Sequence, residues 1–223
     1  MNYDNMANVY DNVYVGKREK QEDKLTNEYL LKHNLLQGSV LDLGCGTGNI
    51  LDYKHNITEY CGIDISKKML KVHKKRHKDS FISLINDDMS YQKNYPKQKF
   101  DNVISTFGSI SYLKNPEKLP KILKKCLKEN GKAYLMGYGV RWGFGQNIKT
   151  ETNGIYSYRL LYTPEMIKGL FQDFKILEIR PLSVILDRTP RILWGMESFM
   201  QTKMLRQGLY LGVLLQWQGK KSF

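Results

Sequence analysis

Three glycines spaced two apart, Gly44, Gly46 and Gly48, are the residues whose type and spacing point most directly to chemistry. They follow the apolar run Ser39-Val40-Leu41-Asp42-Leu43. Glycine permits positive φ and carries no Cβ, so a backbone built this way can turn sharply and lie flat against a ligand. A dinucleotide fingerprint needs G-x-G-x-x-G, and a phosphate loop needs a lysine after its last glycine. Here the spacing is G-x-G-x-G, Asp42 stands two residues before the first glycine, and no lysine follows. A second acid, Asp64, closes the run Tyr60-Cys61-Gly62-Ile63. A carboxylate at the end of a second strand lies where a ribose diol would sit and can accept from both hydroxyls. A third acidic group, Asn86-Asp87-Asp88-Met89, closes the run Phe81–Ile85. No His/Asp or Cys/His constellation stands out. His73 and His77 lie among lysines and read as surface residues.

The elements that must carry these residues follow from periodicity. Apolar runs of strand length occur at residues 39–43, 60–63, 81–85, 100–105, 132–137, 174–180 and 209–216. Between them lie helical stretches: about 49–54, a helix beginning after the N-cap Ser66, one over 116–129 ending at Asn130-Gly131, and one starting at Thr163-Pro164. The first 38 residues read as two helices, of which the second runs from about Glu19 to about Asn34. Alternating strands and helices predict an α/β doubly wound, mostly parallel sheet with helices on both faces.

Taken in order, these motifs resemble the class I S-adenosylmethionine (SAM)-dependent methyltransferases. The Asp42 to Gly48 stretch resembles the family's first motif. Asp64-Ile65-Ser66-Lys67-Lys68-Met69-Leu70 resembles its second, and Asp88-Met89 stands where the family has an acid that meets the adenine amino group. Asp87 rivals Asp88 for that role, because Asn86-Asp87 replaces the usual glycine. Phe100-Asp101-Asn102-Val103 and the following Thr106-Phe107-Gly108-Ser109-Ile110-Ser111-Tyr112-Leu113 resemble the fourth strand and the loop that borders methyl and acceptor, as in small-molecule N-methyltransferases. The Asp/Asn-Pro-Pro-Tyr/Phe signature of nucleobase amine methylation is absent. The resemblance implies a Rossmann-like seven-stranded sheet whose last strand is antiparallel. It implies SAM as cofactor, S-adenosylhomocysteine (SAH) as product, and no metal. It places Tyr10, Asp42, Gly44, Cys45, Gly46, Gly48, Asp64, Ile65, Asp87, Asp88, Met89, Thr106 and Phe107 at the cofactor, and Tyr14, Tyr112 and Tyr138 at the acceptor. Tyr10-Asp11-Asn12-Val13-Tyr14 resembles a lid over the cofactor. A helix that merely packs its tyrosines on the sheet is the competing reading.

A chain of 223 residues is expected to form one domain: a helical lid over 1–38, a cofactor core over 39–185, a helical insertion over 186–207 and a final strand over 208–223. The glycine- and aromatic-rich stretch Tyr138–Gly145 reads either as an acceptor-pocket wall or as a surface turn. The insertion is rich in Met, Trp and Phe, and its 194–204 face would suit pairing of two copies, although the oligomeric state is not set by sequence. Cys45, Cys61 and Cys126 match no metal spacing and read as buried hydrophobes of a protein in the reducing cytoplasm. No segment has the length of an apolar membrane span. The formal charge of +13 leaves two partner readings open. One is a small-molecule acceptor with lysines on solvated helix faces; the other is an RNA substrate.

Overall fold

The computed structural model describes residues 4, 7, 16–91, 94–140, 147–152, 155–183, 196 and 209–219, with side chains of 147–159 left aside. Among the described residues nine strands form the sheet: β1 (Gln37–Leu43), β2 (Asn56–Asp64), β3 (Ile82–Asn86), β4 (Phe100–Ser105), β5 (Leu127–Gly139), β6 (Asn147–Thr152), β7 (Ile155–Tyr162), β8 (Lys175–Leu182) and β9 (Tyr210–Gln216). The described α-helices are α1 (Lys17–Lys32), α2 (Lys67–Arg76), α3 (Leu119–Cys126) and α4 (Pro164–Leu170).

The central order is β3-β2-β1-β4-β5, all parallel. β9 then pairs antiparallel with β5 and with β8. These seven strands are the expected sheet with one antiparallel member. An addition is the antiparallel hairpin β6–β7, whose second strand meets the end of β5 at Tyr138↔Leu161 and Gly139↔Tyr162. The strand order reverses between β1 and β4, so a crevice opens at their carboxyl ends, where open α/β sheets take ligands.

Side-chain parity explains the two covered faces. Leu41 and Leu43 of β1 join α3 and α4 residues such as Leu123 and Ile167 in one core. Val40, Tyr60 and Tyr134 point the other way and join Tyr29 and Leu30 of α1 and Leu70 of α2. At the amino edge, Asp101 Oδ2 accepts from Ser39 N at 2.9 Å and Ser39 Oγ at 2.7 Å, and Lys128 Nζ lies 2.9 Å from Oδ1. Burial pushes the Asp101 carboxyl upward, but the Ser39 N–H and Lys128 outweigh it and hold it down to about 2.

Three sequence expectations need correction. The helix after the glycine loop is a single 3-10 turn, Asn49–Asp52; Tyr53 is already extended and β2 begins at Asn56, so the connection is too short for a helix. The helix expected over 116–129 is a 3-10 turn, Pro116–Lys118, followed by α3, and from Leu127 the backbone is β5, pairing with Phe100. Asn130 does take the left-handed conformation, at φ 62. Third, His73 is fully buried, because its position on α2 faces inward toward Tyr60 and the glycine loop. The α2 lysines Lys67, Lys68, Lys71, Lys74 and Lys75 are exposed. Tyr10, Tyr14 and the rest of the lid motif lie outside the described residues, as do 141–146 and all of the 186–207 insertion except exposed Met196. No helix among the described residues is long and apolar enough to cross a membrane.

Candidate active site

A pocket opens at the carboxyl ends of β1, β2, β3 and β4. The glycine loop forms its floor. Gly44 N and Cys45 N both donate to Ile63 O, at 2.8 and 3.1 Å, which ties the loop to β2. Gly46 has φ 54, and a Cβ there would meet nothing within 4 Å, so the loop presents bare backbone to open space. Its N–H donates to Asp64 Oδ2 at 2.9 Å, while Ser66 N donates to Asp64 Oδ1 at 2.8 Å. Burial raises the Asp64 carboxyl, against the pull of these two amides. The residues separated by 18 positions thus share one edge of the pocket. Gly48 stands behind the lining: at φ 86, any Cβ would lie 2.6 Å from the His73 imidazole.

Asp42 lies beneath the loop, 3% exposed, and lines the pocket. Tyr60 OH donates to its Oδ2 at 2.8 Å, and its Oδ1 has no hydrogen-bond partner. Burial pushes this carboxyl up to about 7, the Tyr60 bond opposing and Asp64 adding to the shift. Cys45, Ile65, Asp87, Asp88 and Met89 also line the pocket. Asp88 Oδ1 accepts from Ser90 N and Ser90 Oγ at 2.8 and 2.6 Å; Asp87 accepts from Asp88 N and Asn94 N at 2.9 and 3.0 Å. Both carboxylates therefore shape the turn that walls the pocket. At the rim, Asp4 Oδ1 accepts from Ser66 Oγ at 2.6 Å and Lys68 N at 3.2 Å.

The opposite wall comes from the segment after β4. Thr106, Phe107 and Tyr112 line it, together with Ser109 and Leu113. Phe107 has φ 52, a conformation that is uncommon for a bulky side chain and strained. Tyr162 OH donates to Ile110 O at 3.2 Å and Ser111 Oγ accepts from Tyr138 N at 2.8 Å, which sets the 3-10 turn Ser109–Tyr112 against β5 and β7. Tyr138 is not in the lining; it backs Tyr112, with ring centroids 6.3 Å apart and the planes at 88°.

Several contributors escape sequence reading. Thr47, Asn49, Ile50 and Met69 line the pocket. Tyr60, His73 and Tyr210 act from strand and helix positions that read as ordinary core, and only the parity of Tyr60 with Val40 on paired strands hints at its direction.

The group this arrangement fits is an adenosyl compound. A bare-backbone floor, an acid one strand away, a third acid-bearing turn and an orphaned buried carboxylate oxygen suit a ligand with hydroxyls, an adenine ring and a cationic end. Residues 40–131 match a family described as a methyltransferase domain. Demethylmenaquinone methyltransferase of Thermotoga maritima is 30% identical over 158 residues, covering 68% of this chain and 64% of that protein. The dTDP-3-amino-3,4,6-trideoxy-alpha-D-glucopyranose N,N-dimethyltransferase of Streptomyces venezuelae is 30% identical over 116 residues, covering 51% and 47%. This chain thus spans about half to two thirds of the length of these two relatives. Among solved structures, a SAM-dependent methyltransferase from Clostridium acetobutylicum superimposes with a TM-score of 0.64 at 17% identity, over 97% of this chain and 99% of that one. The matching profile covers the strand, glycine loop and acids that build the pocket, and the sheet order carries them as that fold does. The protein is an enzyme that transfers methyl groups and takes SAM as cofactor. Residues 40–131 thus carry a methyltransferase domain, on the fold shared with solved class I SAM-dependent methyltransferases.

Proposed function

We propose that the chain moves the methyl group of SAM directly to a nitrogen or oxygen of a small-molecule acceptor. The observation that carries this is the wall of Phe107 and Tyr112, backed by Tyr138, facing the Gly46–Asp64 edge across one pocket. Such a wall suits a compact organic group. The two relatives above, by their names, methylate small molecules. The exposed α2 lysines stand on a solvated face, which favours a compositional origin for the +13 charge.

When bound, SAM supplies an electrophilic methyl on a sulfonium, so the protein's task is alignment and exclusion of water; orientation alone can supply roughly 7–11 kcal/mol. In this reading Gly44, Cys45 and Gly46 support the cofactor from below. Each Asp64 oxygen already accepts one amide and has capacity for a ribose hydroxyl. Asp88 or Asp87 meets the adenine amino group, with Ile65 and Met89 beside the ring. Asp42 faces the cationic methionine end, Thr106 and Phe107 border the methyl, and Tyr10 and Tyr14 close from the N-terminal segment. The Asp4 carboxylate accepts from Ser66 Oγ beside the Asp64 edge, which supports that reading. Three buried free cysteines accord with a reducing cytoplasm, and insertion of β9 between β5 and β8 supports a single domain.

The experiment is incubation with methyl-labelled SAM and a cell extract. Label in small molecules supports the proposal; label in RNA would favour the second reading, for which the charge is the motive. RNA binding would then weaken steeply with salt.

A further inference from the structure

One helix holds the glycine loop from behind. α2 and its N-cap meet the loop at three points. At the start, Asp64 accepts from Ser66 N with one oxygen and from Gly46 N with the other. In the middle, His73 continues the inward stripe of Met69 and Leu70, and its ring backs Gly48 so closely that a Cβ there would lie 2.6 Å from Nε2. At the end, Arg76 donates to Asn49 Oδ1 at 2.7 Å and to Asp52 Oδ1 at 3.0 Å. Asn49 lines the pocket, so the outer turn of the loop takes its position from α2.

His73 is the unexplained member of this set. It is 0% exposed, its ring centroid lies 5.7 Å from that of Tyr60 and 5.5 Å from that of His77, and neither nitrogen has a hydrogen-bond partner. An imidazole always carries at least one N–H, so a buried donor goes unpaired here, at a cost that an apolar side chain would not carry. The surroundings oppose a second proton. Burial acts first, and His77 and Arg76 add like charge; the Gly46 backbone favours the cation but falls short of hydrogen-bond geometry. The nearby carboxylates are turned elsewhere: Asp42 to Tyr60, Asp64 to the amides of Gly46 and Ser66, and Asp52 to Arg76 and His77. Asp23 of α1 acts on Asp52, and Asp79 on His77. The ring is held neutral, its pKa brought down from 6.5 to about 4.

We propose that His73 is a positioning residue for the cofactor: its neutral ring backs the glycine loop in the binding shape, so cofactor binding and protonation of the ring exclude one another. The inference rests on the reading of that loop as the cofactor's floor. A charged ring in a dry site must reach water. Tyr60 blocks one side and His77 another. Beyond the loop lies the open pocket, where a Cβ on Gly46 would meet nothing within 4 Å. A protonated ring therefore drives the loop into the space that the cofactor fills. The exclusion is reciprocal: bound cofactor lowers the proton affinity of the ring by the factor by which protonation lowers cofactor affinity. The loop's arrangement is fully supported above about pH 6.5 and weakens as pH falls from there towards about 4. An ordinary histidine half-titrates near 6.5, so with the loop displaced the ring would hold its proton at pH 5 with roughly 30-fold preference, which bounds the effect.

The test is calorimetry of SAH binding to the full chain between pH 7.5 and pH 5. Wild type is compared with His73→Leu, which keeps bulk behind Gly48 and cannot take a proton. Asp42 and His77 remain in both, so the difference between the two profiles belongs to the ring. On going to pH 5, wild type should lose at least about 3-fold more affinity than His73→Leu, with roughly 30-fold as the ceiling. His73→Ala empties the space behind Gly48 and should bind SAH at least about 5-fold more weakly than His73→Leu at pH 7.5, because a loosened support misplaces the loop. Parallel pH profiles overturn the inference, as does equal binding by the two variants. A histidine that served the core alone would lower Tm in these variants and leave both comparisons flat. Should the variants fail to fold, wild type decides by NMR. SAH must lower the titration midpoint of the His73 C2 proton, identified by its contact with the Tyr60 ring; an unchanged midpoint overturns the inference. Failure of the wild type to bind SAH at pH 7.5 would instead sink the reading of the loop as the cofactor's floor.

Discussion

The Tyr60 hydroxyl donates to Asp42 Oδ2 at 2.8 Å inside the core, and this leaves Asp42 Oδ1 as an unpartnered acceptor at the floor of the cofactor pocket. β1 and β2 pair with Val40 opposite Tyr60, so both side chains leave the sheet on the same face. Hydrogen bonds to charged groups contribute roughly 1.5–3 kcal/mol. Tyr60→Phe should therefore destabilise the apo protein by about 1–3 kcal/mol and weaken SAM, as denaturant titration and calorimetry would show. Unchanged SAM affinity would mean that Asp42 does not face the ligand.

Asp42 also sets a pH dependence. Its folded pKa is raised from 3.8 to about 7, so the folded state holds the proton more tightly than the unfolded state. This contribution to stability is complete below about pH 4 and is lost as pH rises through about 7. A cationic ligand end paired with the ionised carboxylate would offset that loss. The rise in Tm on adding SAM should be larger at pH 8 than at pH 5.5; an equal or smaller rise would count against the pairing.

Asp64→Ala removes two hydrogen-bond acceptors at once, because Gly46 N and Ser66 N both donate to this carboxylate. The glycine loop loses one of its ties to β2, keeping those of Gly44 N and Cys45 N to Ile63 O, and in the proposed reading the ligand loses a hydroxyl partner. Calorimetry should show SAM affinity falling on the order of 10- to 100-fold, matching about 1.4–3 kcal/mol. Binding indistinguishable from wild type would refute the assignment of this edge to the cofactor.

Gly48→Ala brings two separate penalties. The residue has φ 86, and the added methyl would approach the His73 ring to 2.6 Å. Left-handed strain for a non-glycine residue costs roughly 1–3 kcal/mol. The double variant with His73→Ala should recover the clash but not the strain, giving partial rescue in thermal unfolding. Full rescue would show that φ at this position is free to change.

Glu22→Gln should raise Tm at pH 8 and leave it nearly unchanged at pH 5. The carboxyl is raised from 4.5 to about 7 by burial, so its stabilising protonated form is lost as pH climbs through that window. The gain expected is about 1–3 kcal/mol. A drop in Tm at pH 8 would mean that the ionised carboxylate is better paired than its surroundings indicate.

The sequence alone determined the sheet's parallel core and the order of its cofactor edge. Alternating apolar runs and helices specify an α/β plan, and Gly44, Gly46, Asp64 and Asp88 announce their places at the carboxyl edge because glycine turns and strand-end acids have local causes: backbone conformation and position relative to a strand. β4 is legible to the residue, since Phe100, Val103 and Ile104 form a strand-length apolar segment between Lys99 and Thr106. Only the tertiary structure decided what meets what across elements. His73 sits in a lysine-rich helix yet is buried, because α2 turns that one position onto Gly48. Tyr210, 72 positions from Tyr138, stacks on it because β9 is inserted beside β5. Tyr29 of α1 donates to Glu178 of β8 at 2.8 Å because α1 packs across the sheet. These contacts depend on packing between segments distant in the chain, and local periodicity carries no record of such distances.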